Sequence, residues 1–107
     1  MKTAFDLYFE EQMSNPEFAA GYLIARARID TFDRIIRELE TERQARGLSK
    51  AAVARLADLP TQTVRRFFSQ NGGNPTLSTI VAIALAVGLT VNLEPSPLNL
   101  ECPDITL

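Results

Sequence analysis

Hydrophobic side chains recur at helical spacing through the first half of the chain, and this pattern predicts helices joined by short turns. A first helix is expected over residues 3–13, where Thr3 can cap the start and apolar side chains follow at helical intervals. Asn15 and Pro16 then predict a second start, because asparagine caps well and proline suits the first helical position. Beyond them, apolar residues alternate at steps of four and three, the heptad seam of a packed helix: Phe18, Tyr22, Ala25, Ile29, Phe32, Ile36 and Leu39.

The length of this seam raises the question of whether one helix or two carries it. A single helix over residues 16–46 would span about 46 Å, whereas a compact chain of this size has a diameter of about 33 Å. We therefore expect two helices, about 16–29 and 31–46, with Asp30 and Thr31 as caps at the break. The seam fits packing within the molecule and, as the alternative, a coiled coil with a partner.

The second half of the chain predicts three short helices, a strand and a tail. The helices are expected over residues 50–57, 61–69 and 77–87, with Gly88 as the stop of the last. Residues 89–94 alternate apolar and polar side chains, which predicts a short strand. The same segment of a second copy would satisfy its unpaired edge, so we expect a homodimer contact here. Three prolines mark residues 95–107 as an extended tail.

Composition narrows the possible functions. The 107 residues are 46% hydrophobic and 22% charged, the balance of a globular domain, and no apolar run is long enough for a membrane span. Histidine is absent and Cys102 is the one cysteine, which argues against most catalytic, metal and disulfide chemistry. We therefore expect a cytoplasmic binding protein, not an enzyme, with no cofactor, no metal and no secretory signal.

The charge distribution points to a polyanionic partner. The net charge is −2, yet residues 41–70 carry six basic and two acidic side chains. Residues 1–40 carry five basic and eight acidic side chains, and residues 71–107 carry three acidic and no basic ones. A basic centre between acidic flanks matters more to a nucleic acid than the total charge does.

Residues 47–68 combine two short helices and a tight turn, and their polar side chains suit DNA. The start and outer face of the second helix collect Thr61, Gln62, Arg65 and Arg66. Arginine matches guanine edges and glutamine matches adenine edges in the major groove. Lys50 begins the first helix, where it and backbone N–H groups can meet a phosphate. A solvated helix face is the alternative interpretation of these residues.

The run Leu48-Ser49-Lys50-x-x-Val53-Ala54-x-x-Ala57-Asp58-Leu59-Pro60-Thr61-x-x-Val64-Arg65-Arg66 resembles the helix-turn-helix of the lambda-repressor/Xre-like regulators. Residues 74–88 resemble that family's final helices, so the resemblance covers about 34–94. It implies an all-α, lambda-repressor-like domain that binds operator DNA as a homodimer.

The same resemblance implies roles for individual residues. Thr61, Gln62 and Arg66 take the base-contacting positions, and Lys50 and Asn71 take positions that contact phosphates. Two residues depart from the family pattern. Asp58 stands where glycine usually adopts the left-handed turn, and Phe68 stands where glutamate is common, which indicates extra packing onto the preceding helices.

The N-terminal part resembles a narrower group. Residues 14–22 are similar to the leader of HigA-type antitoxins, in which a regulator of this fold also neutralises a RelE-like mRNA-cleaving toxin. The resemblance implies a small basic toxin as a second partner. Phe5, Phe9 and Met13, on an acidic first helix, are the candidate toxin contacts. Core packing suits the aromatic residues Phe5, Tyr8 and Phe9 equally well.

The sequence therefore predicts an all-α protein with extra N-terminal helices and a short C-terminal strand. Its regions are an N-terminal extension over 1–30, a helix-turn-helix domain over 31–94 and a proline-rich tail over 95–107. The expected function is a repressor that is also an antitoxin and autoregulates its operon. The alternatives are a stand-alone prophage-type or host regulator without a toxin, and a protein-interaction module that does not bind DNA; an enzyme has the least support.

Overall fold

The computed structural model describes residues 1–69 and 74–98, and in them the chain is all-helical. No strand occurs in these ranges. No helix within them combines the length and the apolar character that crossing a membrane requires. The five helices of the described residues are α1 (Ala4–Met13), α2 (Pro16–Ala45), α3 (Lys50–Ala57), α4 (Thr61–Ser69) and α5 (Leu77–Ala86).

Four helices begin where local side-chain chemistry predicts. At α1, the Thr3 hydroxyl accepts the Asp6 N–H at 3.1 Å and the Asp6 carboxylate accepts the Thr3 N–H at 2.9 Å, a reciprocal capping box. Helices α2, α3 and α5 also begin at a residue whose side-chain oxygen accepts a hydrogen bond from the backbone N–H two or three residues later. The acceptors there are Asn15, Ser49 and Thr76, at 3.0, 3.0 and 3.2 Å respectively.

Three helices end on a residue in the left-handed backbone conformation: Gly47, Asp58 and Gly88, with φ of 66°, 56° and 87°. In each case the next residue is a leucine, whose N–H turns back to a carbonyl five residues earlier. Leu48 donates to Arg43 at 3.0 Å, Leu59 to Ala54 at 2.9 Å and Leu89 to Ala84 at 2.8 Å. The predicted stops of α2, α3 and α5 are therefore confirmed.

The prediction of two helices over residues 16–46 was wrong, because α2 continues without a break through Asp30 and Thr31. Either residue inside a helix costs less than about 0.7 kcal/mol, whereas a break leaves two new ends with unsatisfied backbone groups. The diameter of about 33 Å applies to a chain that folds as one compact body. The chain instead divides into two compact units.

Unit 1 contains Met1–Thr31 and the described residues after Leu93, and it has no fully buried side chain among the residues described. Its helices α1 and α2 meet through Phe9. The Phe9 ring lies 4.9 Å from the Tyr22 ring and 6.5 Å from the Phe18 ring, both edge-on, and stacks on Phe5 at 6.3 Å.

Unit 2 contains Phe32–Leu93 and holds the buried core of the described residues. Helix α3 packs against both α4 and α5. Val53, Val64 and Phe67 are buried in this core, while Ala57 and Leu59 are only half-buried. The buried side chains are Ile36, Leu39, Val53, Ala54, Val64, Phe67, Ile83, Ala84 and Val87.

The strand predicted over residues 89–94 is absent, and that expectation was wrong. Leu89 packs against the core of unit 2, but Val91 is 44% exposed and Leu93 is 98% exposed. Alternating side chains make a strand only where a neighbouring strand satisfies the backbone, and the described residues supply none.

Candidate nucleic-acid interface

Helices α3 and α4 form a helix-turn-helix whose turn is built from Asp58, Leu59 and Pro60. Asp58 reverses the chain, and the Pro60 carbonyl accepts the N–H groups of Thr63 at 3.0 Å and Val64 at 3.3 Å to begin α4. Ala54 of α3 and Val64 of α4 are both buried, so the two helices approach closely at a small side chain. This packing fixes which side of α4 faces solvent.

The solvent side of α4 carries three of the predicted DNA-contacting residues. Gln62, Arg65 and Arg66 are exposed, while Val64 and Phe67 are buried on the opposite side. Residues spaced by three and four lie on one helix face, so these three side chains form a single polar surface. We call Gln62, Arg65 and Arg66 the recognition face.

The other three predicted DNA contacts, Thr61, Lys50 and Asn71, do not belong to the recognition face. Thr61 is half-buried at the first position of α4, and Lys50 is half-buried at the first position of α3. Asn71 lies outside the described residues. The structure therefore groups three of the six candidates on one surface and places Lys50 on the neighbouring helix.

The basic side chains of the two helices give this region a local excess of positive charge. In the described part of the chain, no carboxylate lies within ion-pairing distance of Lys50, Arg55, Arg65 or Arg66. Unit 2 spans eight basic and five acidic residues, and unit 1 is acidic up to Thr31, with three basic and five acidic residues. Positive charge is thus concentrated on the unit that holds the helix-turn-helix, as phosphate contact requires.

Arg43, near the end of α2, contacts α4, and this contact was not predicted from the sequence. Its guanidinium Nε donates to Glu40 at 3.0 Å, Nη2 donates to the other Glu40 carboxylate oxygen, and Nη1 donates to the Leu48 carbonyl at 2.8 Å. Its Cζ lies 5.5 Å from the centroid of the Phe68 ring. Phe68 thus does pack against a preceding helix. No local pattern could have indicated the contact, because 25 residues separate the partners.

This ion pair shifts the acidity of both partners. Hydrogen bonding to Arg43 lowers the pKa of Glu40 below its ordinary value, and Gln44 and the charge of Lys50 act in the same direction against the effect of burial. The Glu40 hydrogen bond raises the pKa of Arg43. Both groups are therefore held in their charged forms.

The three candidate toxin contacts differ in exposure. Phe5 is 70% exposed, whereas Phe9 and Met13 are half-buried and Phe9 holds α1 against α2. Exposed apolar side chains also include Tyr8 and Ile24 in unit 1. Among the described residues, no three histidine, cysteine, aspartate or glutamate side chains are grouped closely enough to hold a metal ion.

A family model described as helix-turn-helix matches residues 39–93, which is more than half of the chain and includes the end of α2 and all of α3, α4 and α5. No match to this chain is found among curated proteins or among solved structures. The match covers the turn at Asp58 and the recognition face described above. The chain belongs to the helix-turn-helix family of Xre- and lambda-repressor-like proteins, and it is a DNA-binding transcription regulator.

Proposed function

We propose that the protein represses its own operon by binding an operator through the recognition face. The observation that carries this proposal is the placement of Gln62, Arg65 and Arg66 together on the solvent side of α4. In the described residues none of these side chains has an ion-pair or hydrogen-bond partner, so they can bind base edges without breaking existing contacts. A DNA-binding domain of this kind indicates a cytoplasmic or nucleoid location.

The test is a binding titration with duplex DNA from upstream of the protein's own gene. Gln62→Ala and Arg66→Ala each remove a base contact and are expected to cost about 1–3 kcal/mol, mainly at one base position per half-site. Lys50→Ala removes a phosphate contact, so it is expected to weaken all DNA sequences alike and to reduce the salt slope by about one.

The matched control is Arg28→Ala, which removes an exposed positive charge from α2 far along the sequence from the recognition helix. The Arg28→Ala variant is expected to keep the parent's DNA affinity and base preference. Parent-like binding by all of the Gln62, Arg66 and Lys50 variants, at several salt concentrations, would place DNA contact on another surface.

We further propose that the regulator is the antitoxin of a type II toxin–antitoxin pair and neutralises a RelE-like mRNA-cleaving toxin. Unit 1 supports this proposal because it exposes Phe5, Tyr8, Ile24 and Ile29 and buries no described side chain fully. Its acidic balance suits a basic partner, since an enzyme that binds messenger RNA needs positive charge. The apolar surface would supply affinity, and the charges would steer the encounter.

A growth-rescue assay tests the antitoxin role, with any small basic protein encoded beside the gene expressed as the proposed toxin. Phe5→Ala combined with Tyr8→Ala is expected to reduce rescue while operator binding stays at the parent level. Leu93→Ala is the control, because it removes an exposed apolar side chain from unit 2 and leaves α1 intact. Full rescue by the double variant would move the toxin contact away from α1.

We propose that DNA binding requires a homodimer, because one helix-turn-helix contacts only a half-site. The support is an apolar stripe on α5 formed by Leu77, Val81 and Leu85. Leu77 is 69% exposed and Leu85 is 59% exposed, and the spacing of four places all three on one face. We also propose that these binding roles are non-enzymatic, in keeping with the absence of histidine.

A further inference from the structure

We propose that Arg43 is a positioning residue for DNA recognition, which holds the recognition helix α4 at the angle that base contact requires. The contact is made by the Arg43 guanidinium on the ring of Phe68, at 5.5 Å from Cζ to the ring centroid. This inference rests on the proposed use of Gln62, Arg65 and Arg66 as base contacts.

The guanidinium is itself held from two directions, which makes it a rigid support. Glu40, three residues before it on α2, accepts two of its N–H groups, and the Leu48 carbonyl, beyond the end of α2, accepts a third at 2.8 Å. A planar group bound on both edges presents its flat face in one orientation. Phe68 rests on that face.

Phe68 transmits this orientation to the rest of α4. It is half-buried and lies edge-on to the buried Phe67 ring, with 5.1 Å between the centroids. Arg65 and Arg66 precede the two rings directly on the same helix. Any rotation of α4 that moves Phe68 off the guanidinium also turns the recognition face, and binding groups must be held within about 0.5 Å for good contact.

Arg43 does not contact DNA directly in this arrangement. Its side chain is only 14% exposed, and all three of its nitrogens donate hydrogen bonds inside the protein. A phosphate contact would require the guanidinium to leave Glu40 and Leu48. The predicted effect of altering Arg43 is therefore on sequence preference, with no change in salt dependence.

The test compares binding to the upstream duplex with binding to a scrambled duplex of the same composition. Arg43→Lys keeps the charge but loses the planar fork, and it is expected to weaken upstream-duplex binding about tenfold, the loss of one good base contact. Binding to the scrambled duplex and the salt slope are expected to stay at parent values. Discrimination between bases should weaken at every position that α4 contacts. A variant that is merely less stable would not change this base preference.

Phe68 provides the second pair of variants. Phe68→Leu keeps apolar packing but removes the ring face, and it is expected to match Arg43→Lys; Phe68→Tyr keeps the ring and should retain parent binding. The double variant Arg43→Lys with Phe68→Leu should lose no more than either single one, because both remove the same contact. Thermal melts confirm that each variant is folded at the binding temperature. If Arg43→Lys does not fold, the comparison of Phe68→Leu with Phe68→Tyr decides.

Three results would overturn the proposal. Equal loss on both duplexes with a smaller salt slope would make Arg43 a phosphate contact. Unchanged base preference in folded Arg43→Lys and Phe68→Leu would make the contact purely structural, and so would loss in Phe68→Tyr equal to that in Phe68→Leu. A separate result would show that α4 does not contact DNA bases at all: Gln62→Ala and Arg66→Ala would then leave upstream-duplex binding unchanged. Failure of the proposed function and failure of the role of Arg43 can therefore be told apart.

Discussion

Asp58 ends α3 in the left-handed backbone conformation, with φ of 56° and ψ of 47°, at the turn of the helix-turn-helix. Gly47 and Gly88 adopt the same left-handed conformation after α2 and α5. A residue with a Cβ is strained there by about 1–2 kcal/mol, although a short polar side chain such as aspartate tolerates it better than most. The turn therefore stores a small strain that the two glycine ends avoid.

Replacing Asp58 by glycine should raise the free energy of unfolding by up to about 1 kcal/mol, because glycine adopts this conformation without strain. Urea denaturation followed by circular dichroism measures the change. Gly47→Ala is the matched reverse substitution: a Cβ there meets no atom within 4 Å, so its expected loss of about 1 kcal/mol comes from φ alone. A less stable Asp58→Gly variant would show that the carboxylate contributes to the turn.

The hydrogen-bonded carboxylate of Glu40 makes the free energy of unfolding depend on pH. Hydrogen bonding to Arg43 lowers its pKa in the folded protein from the ordinary 4.5, so the unfolded chain takes up a proton first as the pH falls. The stabilisation is present above about pH 4.5 and is lost as the pH falls through the lowered pKa of the folded state. Glu40→Gln should therefore be less stable than the parent near neutral pH, and the difference should shrink as the pH falls below 4.5 and through the lowered pKa of the folded protein.

Urea midpoints of both proteins across this pH range check the prediction. Glu38→Gln is the control, because Glu38 is exposed on the same helix and makes no ion pair among the described residues. A difference between parent and Glu40→Gln that does not change with pH would mean that the carboxylate charge contributes nothing.

Helix α5 has the most hydrophobic sequence of the five described helices, yet only part of it is buried. Ile83 and Ala84 are buried in the core of unit 2, whereas Leu77 and Leu85 remain exposed. The helix thus has one apolar face inside the unit and a second apolar face toward solvent. A second copy of α5 is the partner we propose for that outer face.

Leu85→Glu should convert the proposed dimer to a monomer of 11.8 kDa, because a charge would have to be buried within the proposed contact. Sedimentation measures the mass, and operator affinity should fall with it, since a monomer binds only a half-site. Leu93→Glu introduces the same charge at a residue that is 98% exposed and should leave the mass unchanged. A stable dimer of Leu85→Glu would place the interface on another element.

At the scale of the whole molecule, burial and charge are distributed unequally between the two units. Every fully buried side chain among the described residues lies between Ile36 and Val87, inside unit 2. Unit 1 carries acidic and exposed aromatic residues instead. The unit that belongs to the helix-turn-helix family therefore contains a core of its own.

Deleting residues 1–14 should leave cooperative unfolding and operator binding near parent values, because none of the buried core is removed. Neutralisation of the proposed toxin should be lost in the same truncated chain. A circular-dichroism melt, a DNA titration and the rescue assay together measure these outcomes. Loss of the cooperative transition together with DNA binding would show that the N-terminal aromatic residues support the fold of the whole chain.

The sequence by itself determined the helix ends other than the break wrongly predicted inside α2, and it determined the recognition face. Thr3, Ser49 and Thr76 cap through bonds to residues three positions away, and Asp58 stops α3 by its own backbone conformation. Such interactions are local, so neighbouring residues are enough to predict them. Helical periodicity likewise separates the exposed polar side of α4 from its buried side, again within a few residues.

Only the tertiary structure decided the continuity of α2, the absence of a strand after Leu89 and the placement of Phe68 on Arg43. A heptad seam continues or breaks according to what covers it, and an alternating segment forms a strand only beside a partner. The Arg43–Phe68 contact joins α2 to α4 across the whole of α3. These features depend on residues distant in sequence, whose positions are set when the helices pack.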